Sequence, residues 1–367
     1  MFQRMKIIHV IYSMELGGAE VLVAQLCRMQ RANGHDVSVF AYSKLGSVGE
    51  GLRDEGFEIY VPGEAPPART MLRYYRQFAA LRPDVVHCHN SAATLQGALS
   101  ARLAGVRCVI STRHSLVAPP YDVAGEVKYN LIARSCDVIT GICEITCENL
   151  RGGPLAQKEK IVRVYNGSSA IERVDLAPLG DEFVKRGLTL VFVGRLAAVK
   201  DLGTLLRAVA LASVKVPELQ AWIVGDGPVR KDLEALATAL GVADRVRFWG
   251  QRMDTDRFFS AADVFAMSSV SEGLPMSLLQ AMSLGIPAVL TDVGGMAEVL
   301  GLSKSGLLTP VGDSVAMSEA IVRLAEGQAL RAEFARRAVE TYRAEFTLER
   351  MDAAYMAIYR GEYELPV

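Results

Sequence analysis

Two cations stand close together near the middle of the chain. Arg195 follows Gly194 at the end of an apolar run, and Lys200 comes five residues later, at the entry to a helical stretch. A guanidinium offers a planar fork of N–H donors and an ammonium offers a compact charge, and both bind phosphate oxygens. The spacing predicts a site that grips a diphosphate. The alternative is two ordinary surface cations.

Two glycine-containing turns also follow apolar runs. Gly17-Gly18 comes after the first run of the chain, and Gly225-Asp226-Gly227 comes after a run that ends at residue 224. Glycine lets the backbone approach a ligand closely, and the open N–H groups of a following helix attract anions. A G-x-G-x-x-G dinucleotide fingerprint needs glycine at 230, where the chain has Arg230, so a dehydrogenase is rejected. Both turns predict nucleotide contacts, with plain tight turns as the alternative.

A third segment combines a carboxylate, a helix start and an amide. Glu272 is predicted in a loop, and Gln280 lies on the helix that follows. Open N–H groups at a helix start bind phosphate or sugar oxygens, and a carboxylate and an amide bind sugar and ribose hydroxyls. The predicted helix start comprises Gly273, Leu274, Pro275 and Met276.

One histidine, His114, follows Thr112-Arg113 at the end of an apolar run in the first half of the chain. A lone histidine is often a structural hydrogen-bonding residue. Because this one is expected at the carboxyl end of a strand, where ligands bind to parallel sheets, a catalytic role is an equal alternative.

Short apolar runs alternate with helical stretches along the whole chain, which indicates βαβ units around parallel sheets. The predicted strands are 6–12, 36–42, 58–61, 85–89, 107–112, 137–142 and 161–165, then 189–193, 219–224, 245–249, 263–267, 287–291 and 306–309. The predicted helices include 18–31, 70–81, 201–214, 228–240 (opened by Pro228), 275–284, 329–343 and 348–359.

The polar stretch 167–187 is the best candidate for a linker, because the strand pattern restarts after it. We therefore predict two tandem Rossmann-like, doubly wound parallel-sheet α/β domains that face a cleft. The first domain spans 1–175 and the second 176–345, and a final helix in 346–367 is expected to cross back to the first domain.

At these turns the sequence resembles the family 4 glycosyltransferases, two-domain retaining enzymes of the GT-B fold that move a sugar from a nucleotide donor. The likeness extends over nearly the whole chain, including the segments 84–89, 165–167 and 290–298. It implies that the first domain binds the acceptor and the second the nucleotide sugar. It also implies a role for each candidate residue. Gly17, Gly18, Arg195 and Lys200 would hold the diphosphate. Glu272 would contact the sugar, and His114 would lie beside the reacting carbon.

The sequence departs from the family pattern in two places. The family has a second glutamate eight positions after the first, where it binds the donor ribose, and this chain has Gln280 there. An amide oxygen still accepts a hydrogen bond from a hydroxyl, but without the charge-assisted strength. After Asn166-Gly167 the chain has Ser168 where the family commonly carries an aspartate.

Composition excludes several classes of protein. Half of the 367 residues are hydrophobic and 22% are charged, which is typical of a globular chain. The net charge of −1 argues against binding nucleic acid through overall basicity. No apolar run has the length of a membrane helix, and the first run lacks a signal-peptide cleavage site. The six cysteines show no paired C-x-x-C motif, so we expect reduced thiols in a cytoplasmic protein.

Two further patterns suggest metal ligands. Asp254-Thr255-Asp256 looks like the D-x-D motif of other sugar transferases, but helix capping and a favourable charge in the first helical turn explain it better. His87 and His89 alternate on one strand, and with no third ligand at a telling spacing we favour packing over zinc. No metal and no cofactor are expected.

The helical segment 68–78 is basic and aromatic. Arg69, Arg73 and Arg76 are predicted on one face, with Met71, Leu72, Tyr75 and Phe78 toward the other. A solvated helix face and a contact with anionic lipid headgroups are equally good interpretations. The second would place the protein at the inner face of the plasma membrane.

The expected function is that of a retaining, metal-independent hexosyltransferase acting on a UDP- or GDP-linked sugar. The acceptor is a glycan or lipid-linked saccharide, as in surface polysaccharide biosynthesis. The alternatives are a nucleotide-sugar epimerase or a phosphorylase on the same fold, and a catalytically silent subunit that binds nucleotide sugars.

Overall fold

The chain forms two compact α/β units. The computed structural model describes residues 4–63, 65–116, 122–174, 185 and 187–363. The first unit is discontinuous: it comprises the chain up to Ser168 and again from Leu348 onward. The second unit is Ser169–Thr347. The division at 168/169 lies earlier than the predicted 175/176. Most of the predicted linker, residues 175–184 and 186, lies outside the described residues.

The first unit is built on a parallel sheet of seven strands in the order β3-β2-β1-β4-β5-β6-β7. Its strands are β1 (Lys6–Ile11), β2 (Asp36–Ala41), β3 (Glu58–Tyr60), β4 (Val85–His89), β5 (Cys108–Arg113), β6 (Val138–Gly141) and β7 (Ile161–Arg163). Its connecting helices are α1 (Gly18–Ala32), α2 (Gly46–Asp54), α3 (Pro67–Leu81), α4 (Asn90–Leu103), α5 (Val123–Ala133) and α6 (Glu144–Arg151). The strand order reverses between β1 and β4, the point at which such sheets bind ligands.

Helices cover both faces of this sheet, which explains the continuous apolar runs in the sequence. Along β2, Val37 and Val39 pack in one hydrophobic cluster, with Cys27 of α1. Phe40, which points to the opposite face, packs in another cluster with Phe78 of α3. Successive strand residues therefore enter different cores, and every position favours an apolar side chain.

The second unit has a six-stranded parallel sheet in the order β10-β9-β8-β11-β12-β13. Its strands are β8 (Thr189–Val193), β9 (Gln220–Val224), β10 (Val246–Gly250), β11 (Val264–Met267), β12 (Ala288–Thr291) and β13 (Gly306–Thr309). The helices are α7 (Leu202–Ala212), α8 (Arg230–Ala239), α9 (Thr255–Ala261), α10 (Met276–Ser283), α11 (Gly294–Ser303), α12 (Ser314–Glu326) and α13 (Gln328–Glu345). Here the order reverses between β8 and β11.

The last helix, α14 (Leu348–Arg360), belongs to the first unit and contacts α1. Its first residue donates a backbone N–H to the carbonyl of Ser168 (3.0 Å). Asp352 accepts a hydrogen bond from Asn33 (3.0 Å), and Tyr359 is 1% exposed. This helix therefore supplies polar side chains to the interior of the first unit.

The elements agree with the sequence-based ranges to within three residues at each end. Pro228 is an exception to the expected pattern, since α8 begins at Arg230 and the proline lies in the preceding turn. In the part of the chain that the structure describes, no helix combines the length and apolar character needed to span a bilayer.

Candidate functional site

The loops that follow β8 and β9 are packed backbone against backbone. The N–H of Leu196 donates to the carbonyl of Asp226 (2.9 Å). Gly225 has a φ of +136°, and a Cβ at this position would lie 1.9 Å from the carbonyl oxygen of Gly194. A Cβ at Gly227 would lie 2.2 Å from the carbonyl oxygen of Leu196. Loop packing therefore requires both glycines, and their contact with a nucleotide stays a prediction.

Lys200 and Glu272 form an ion pair across the reversal point of the second sheet. Lys200 ends a short 3-10 turn after β8, and Glu272 lies in the loop after β11. The hydroxyl of Ser269 also donates to Glu272 Oε1 (2.8 Å). Their side chains are only 17% and 12% exposed. The carboxylate therefore offsets the charge of the ammonium, and the role of Lys200 in gripping a diphosphate stays a prediction.

Arg195 lies on the same edge of the sheet and is exposed. Its guanidinium has no ion-pair or hydrogen-bond partner among the described residues. With Lys200 balanced by Glu272, Arg195 supplies an uncompensated positive charge at this edge. An exposed guanidinium at the switch point of a parallel sheet is suited to an anionic ligand.

The segment 273–280 differs from its predicted form. Helix α10 begins at Met276 with Pro275 as its cap, so Gly273 and Leu274 precede the helix rather than form its start. The carbonyl of Gly273 accepts a hydrogen bond from Gly295 N–H (2.8 Å), which joins the loops after β11 and β12. The helix begins late because proline has no N–H and holds an extended backbone here.

Gln280 lies on α10 and is half-buried. Its backbone carbonyl accepts a hydrogen bond from Ser283 (2.7 Å). Within the described ranges, its side-chain amide has no hydrogen-bond partner. The amide therefore keeps its donor and acceptor capacity for water or a ligand.

In the first unit, Gly17 and Gly18 lie where the sequence placed them, after β1. Gly17 caps α1 and Gly18 is its first residue. A Cβ at Gly17 would lie 2.3 Å from a carboxylate oxygen of Glu20, whose pKa is raised by burial. The carboxyl group of Glu20 therefore already lies beside the open end of the helix.

His114 belongs to a histidine cluster that the sequence showed only in part. His87 and His89 project from β4, and His9 on β1 is paired in register with His87. One nitrogen of each of these three lies within 4.8 Å of the others, so His9 is the third histidine that the sequence spacing did not reveal. Only the sheet register reveals it, because seventy-eight residues separate His9 from His87 in the sequence.

The ring nitrogens of His9, His87 and His89 are all engaged in hydrogen bonds. Each of the six ring nitrogens of His9, His87 and His89 lies within 3.0 Å of a partner atom. His87 contacts Tyr359 (2.8 Å) and Thr112 (2.6 Å). Burial lowers the pKa of His9 to about 4 and holds the pKa values of His87 and His89 well below the ordinary value. The structure thus uses these rings as neutral hydrogen-bonding groups.

The D-x-D segment has only part of the structural role expected: Asp256 lies in the first turn of α9, as predicted. The side chain of Asp254 does not cap α9. It accepts two hydrogen bonds from Arg252 (2.8 and 2.7 Å), and these hold the pKa of Asp254 below its usual range. Capping by Asp254 was therefore wrong, because the neighbouring arginine engages both oxygens.

The predicted faces of α3 need a correction as well. Thr70, Tyr74 and Phe78 are buried, whereas Leu72 (47% exposed) and Tyr75 (40% exposed) face outward. Arg69 and Arg76 are exposed too, while Arg73 is half-buried and donates to the carbonyl of Pro62 (2.6 Å). The outer face therefore mixes two arginines with leucine and tyrosine.

Comparison with solved structures defines the class of fold. The crystal structure of Anabaena HepE in complex with UDP-glucose superposes with a TM-score of 0.86 at 21% identity, covering 98% of this chain and 100% of that chain. WaaG, a glycosyltransferase involved in lipopolysaccharide biosynthesis, gives a TM-score of 0.74 at 17% identity over 97% and 100% of the two chains. The protein has the fold of the GT-B glycosyltransferases.

Family models then specify the group. The model described as Glycosyltransferase Family 4 matches residues 16–169, and the model described as Glycosyl transferases group 1 matches residues 181–341. Together the two models match most of the chain, which belongs to family 4 of the glycosyltransferases.

Relatives of known name are similar over different lengths. The lipopolysaccharide core biosynthesis glycosyltransferase LpsE of Rhizobium meliloti is 33% identical over 54% of this chain, and LpsD of the same organism is 33% identical over 52%. These matches span only 57% and 52% of the relatives' own lengths. An Escherichia coli UDP-Gal:alpha-D-GlcNAc-diphosphoundecaprenol alpha-1,3-galactosyltransferase is 24% identical over 89% of each chain.

Proposed function

We propose that the protein transfers a sugar from a nucleoside-diphosphate sugar, UDP- or GDP-linked, to a hydroxyl of a glycan or lipid-linked saccharide. The second unit binds the donor and the first unit binds the acceptor. Family membership supports this proposal, as do the names of relatives in lipopolysaccharide biosynthesis and the UDP-glucose bound to HepE. Transfer with retention of configuration is the stereochemistry that the family resemblance implies.

The exposed guanidinium of Arg195 beside the Lys200–Glu272 pair is the observation that carries the proposal. The bond between the sugar's anomeric carbon and the diphosphate breaks, and the acceptor oxygen bonds to the same face of that carbon. The acceptor proton passes to the departing phosphate. Arg195 and Lys200 stabilise the charge that grows on the diphosphate, while Glu272 contacts the sugar and His114 lies near the reacting carbon.

We further propose that transfer requires no metal ion, because these cations meet the leaving group directly. Activity that persists in EDTA supports this part of the proposal, and activity that returns only with Mg²⁺ or Mn²⁺ contradicts it. Retention is tested separately by determining the anomeric configuration of the product by NMR.

We also propose that the protein works on the cytoplasmic side of the membrane. All six cysteines are free and buried, which suits a reducing compartment. The outer face of α3, with Arg69, Leu72, Tyr75 and Arg76, has the composition of a surface that contacts anionic headgroups.

The test is a nucleotide-release assay with UDP- and GDP-sugars and a set of saccharide acceptors. Arg195→Ala should lose roughly a hundred- to a thousandfold in rate, as the loss of one donor to a developing charge usually does. Arg343→Ala is the matched control, since Arg343 is an exposed arginine in the last turn of α13. Full activity of Arg195→Ala contradicts the assignment. Sugar conversion without an acceptor would indicate an epimerase, and binding without release a silent subunit.

A further inference from the structure

Three of the protein's five histidines are joined in a line inside the first unit. His9 Nδ1 lies 3.0 Å from His89 Nε2, and His89 Nδ1 lies 2.9 Å from His114 Nε2. At the other end, His9 Nε2 lies 2.9 Å from Gln30 Oε1 on α1. The line thus runs from a buried amide, through two rings, to the residue proposed to lie near the reacting carbon.

The amide of Gln30 sets the direction of this line. Oε1 is the amide atom that faces His9 Nε2 (2.9 Å), whereas Nε2 of Gln30 is buried and has no hydrogen-bond partner among the described residues. An amide oxygen only accepts hydrogen bonds, so His9 is the donor in this contact.

Each tautomer follows from the one before. Gln30 accepts, so His9 donates from Nε2 and its Nδ1 carries a lone pair. His89 must then donate from Nε2 to His9 and accept at Nδ1. His114 donates from Nε2 to His89, which leaves His114 Nδ1 without a proton. A neutral imidazole has one donor and one acceptor nitrogen, so the sequence of roles has no branch.

The free end of the line is already positioned. His114 Nδ1 is buried and has no hydrogen-bond partner within the described residues. The backbone N–H of His114 donates to Asn90 Oδ1 (2.9 Å), and Asn90 holds a left-handed φ of +66° directly after His89. Burial lowers the pKa of His114 to about 4, so the ring stays neutral near pH 7.

We propose that Gln30, His9 and His89 are positioning residues that fix His114 as the Nε2-protonated tautomer and present its bare Nδ1 as an acceptor for a substrate hydroxyl. The inference rests on the proposed function in one respect, the presence of a sugar hydroxyl at His114. The tautomer itself is a property of the free protein.

The first test therefore needs no substrate. The whole protein labelled with ¹⁵N-histidine contains only five imidazoles, and their nitrogen shifts and one-bond couplings show which nitrogen carries hydrogen. At pH 7.5 we expect His9, His89 and His114 all to be protonated at Nε2. A proton on Nδ1 of His114 in the wild-type protein overturns the proposal, whatever the protein's activity.

The second test breaks the line in the middle and at its far end. Gln30→Met removes the acceptor at the end of the line, His89→Leu removes one donor and one acceptor, and His89→Gln keeps one of each. We expect the first two to mix the tautomers of His114 and to lower kcat roughly five- to tenfold, the usual worth of one neutral hydrogen bond. His89→Gln should restore most of the Nε2-protonated tautomer of His114 and most of kcat.

His87→Gln is the matched control. His87 is buried in the same cluster, but its nitrogens bond to Tyr359 and Thr112 rather than to the line. It should leave the His114 tautomer unchanged and kcat within twofold. If mixed tautomers leave kcat unchanged, Nδ1 is not used in turnover. If no wild-type transfer occurs but the tautomers are as expected, the proposed function fails and the positioning role within the fold remains.

Discussion

The ammonium of Lys200 is bonded to the carboxylate of Glu272, so the two residues given separate roles by the sequence hold each other in place. Lys200 reaches from the loop after β8, and Glu272 from the loop after β11. The hydroxyl of Ser268 strengthens the same junction, because its one proton is within hydrogen-bond distance of the carbonyls of Lys200 (3.1 Å) and Asp201 (2.8 Å). A ligand that binds here meets one preformed unit rather than two independent side chains.

This pair predicts that Lys200 contributes to stability as well as to transfer. Lys200→Met leaves the largely buried Glu272 carboxylate without its cation, which should cost about 3 kcal/mol. Glu272→Gln in the same background removes the orphaned charge and should recover most of that loss. Urea unfolding of the two single variants and the double variant measures the coupling. Additive effects would show that the two side chains do not depend on each other.

The loop junction at Gly225 predicts an equally specific loss. A methyl group in Gly225→Ala meets the carbonyl oxygen of Gly194 at 1.9 Å, and the backbone has a positive φ. We expect a loss of more than 3 kcal/mol, above the roughly 1 kcal/mol of a strained φ alone. Gly241→Ala is the control, because Gly241 has a φ of +71° and open space around its Cβ position. Equal melting temperatures for the two variants would contradict the packing argument.

Gln280 gives a prediction about the donor nucleotide. Gln280→Glu should tighten UDP or GDP binding about tenfold, because a charge-assisted hydrogen bond to a ribose hydroxyl replaces a neutral one. Calorimetry with the nucleotide and its 2′-deoxy analogue measures this, and the gain should shrink for the analogue if that hydroxyl is the partner. Gln251→Glu makes the same chemical change at an exposed position after β10. Weaker binding by Gln280→Glu would place Gln280 away from the ribose.

Local sequence pattern was enough for the order of the strands and helices, and for the turns that bear Arg195, Lys200 and Glu272. It was not enough for contacts between distant segments. The ion pair of Lys200 with Glu272 depends on which strands are neighbours, and the approach of His9 to His89 depends on register. Sequence pattern also does not predict which of two possible partners a side chain binds. Asp254, for example, binds Arg252 instead of capping its helix.

The outer face of α3 predicts binding to anionic vesicles. Arg69→Glu/Arg76→Glu should reduce flotation with phosphatidylglycerol vesicles at least tenfold, since each basic residue near such a surface contributes about 1 kcal/mol. Arg53→Glu/Arg134→Glu is the control, because it makes the same change in net charge at two other exposed arginines of the first unit. If both pairs lose binding equally, total charge rather than α3 is responsible. Undiminished flotation of the α3 variant rules out the lipid contact.

The buried histidines predict that stability falls in mild acid. In the folded state the pKa of His9 is lowered to about 4, whereas in the unfolded chain it returns to about 6.5. Between these values the unfolded chain binds more protons, so the free energy of unfolding decreases as pH falls through this window, by about 1.4 kcal/mol per pH unit for one such group. His87 on β4 and Asp352 and Tyr359 on α14 face the same cluster, and the lowered pKa values of His87 and His89 add in the same direction.

Urea unfolding at pH 7.5, 6.5, 5.5 and 4.5 measures this dependence. The wild-type protein should be most stable above pH 6.5 and lose stability steadily below it. His9→Gln removes one titrating group, so its stability should fall less steeply by about 1.4 kcal/mol per pH unit, even if it is less stable at every pH. The slope is therefore the readout rather than the absolute value. Parallel curves for the two proteins would mean that His9 is not held neutral in the folded state.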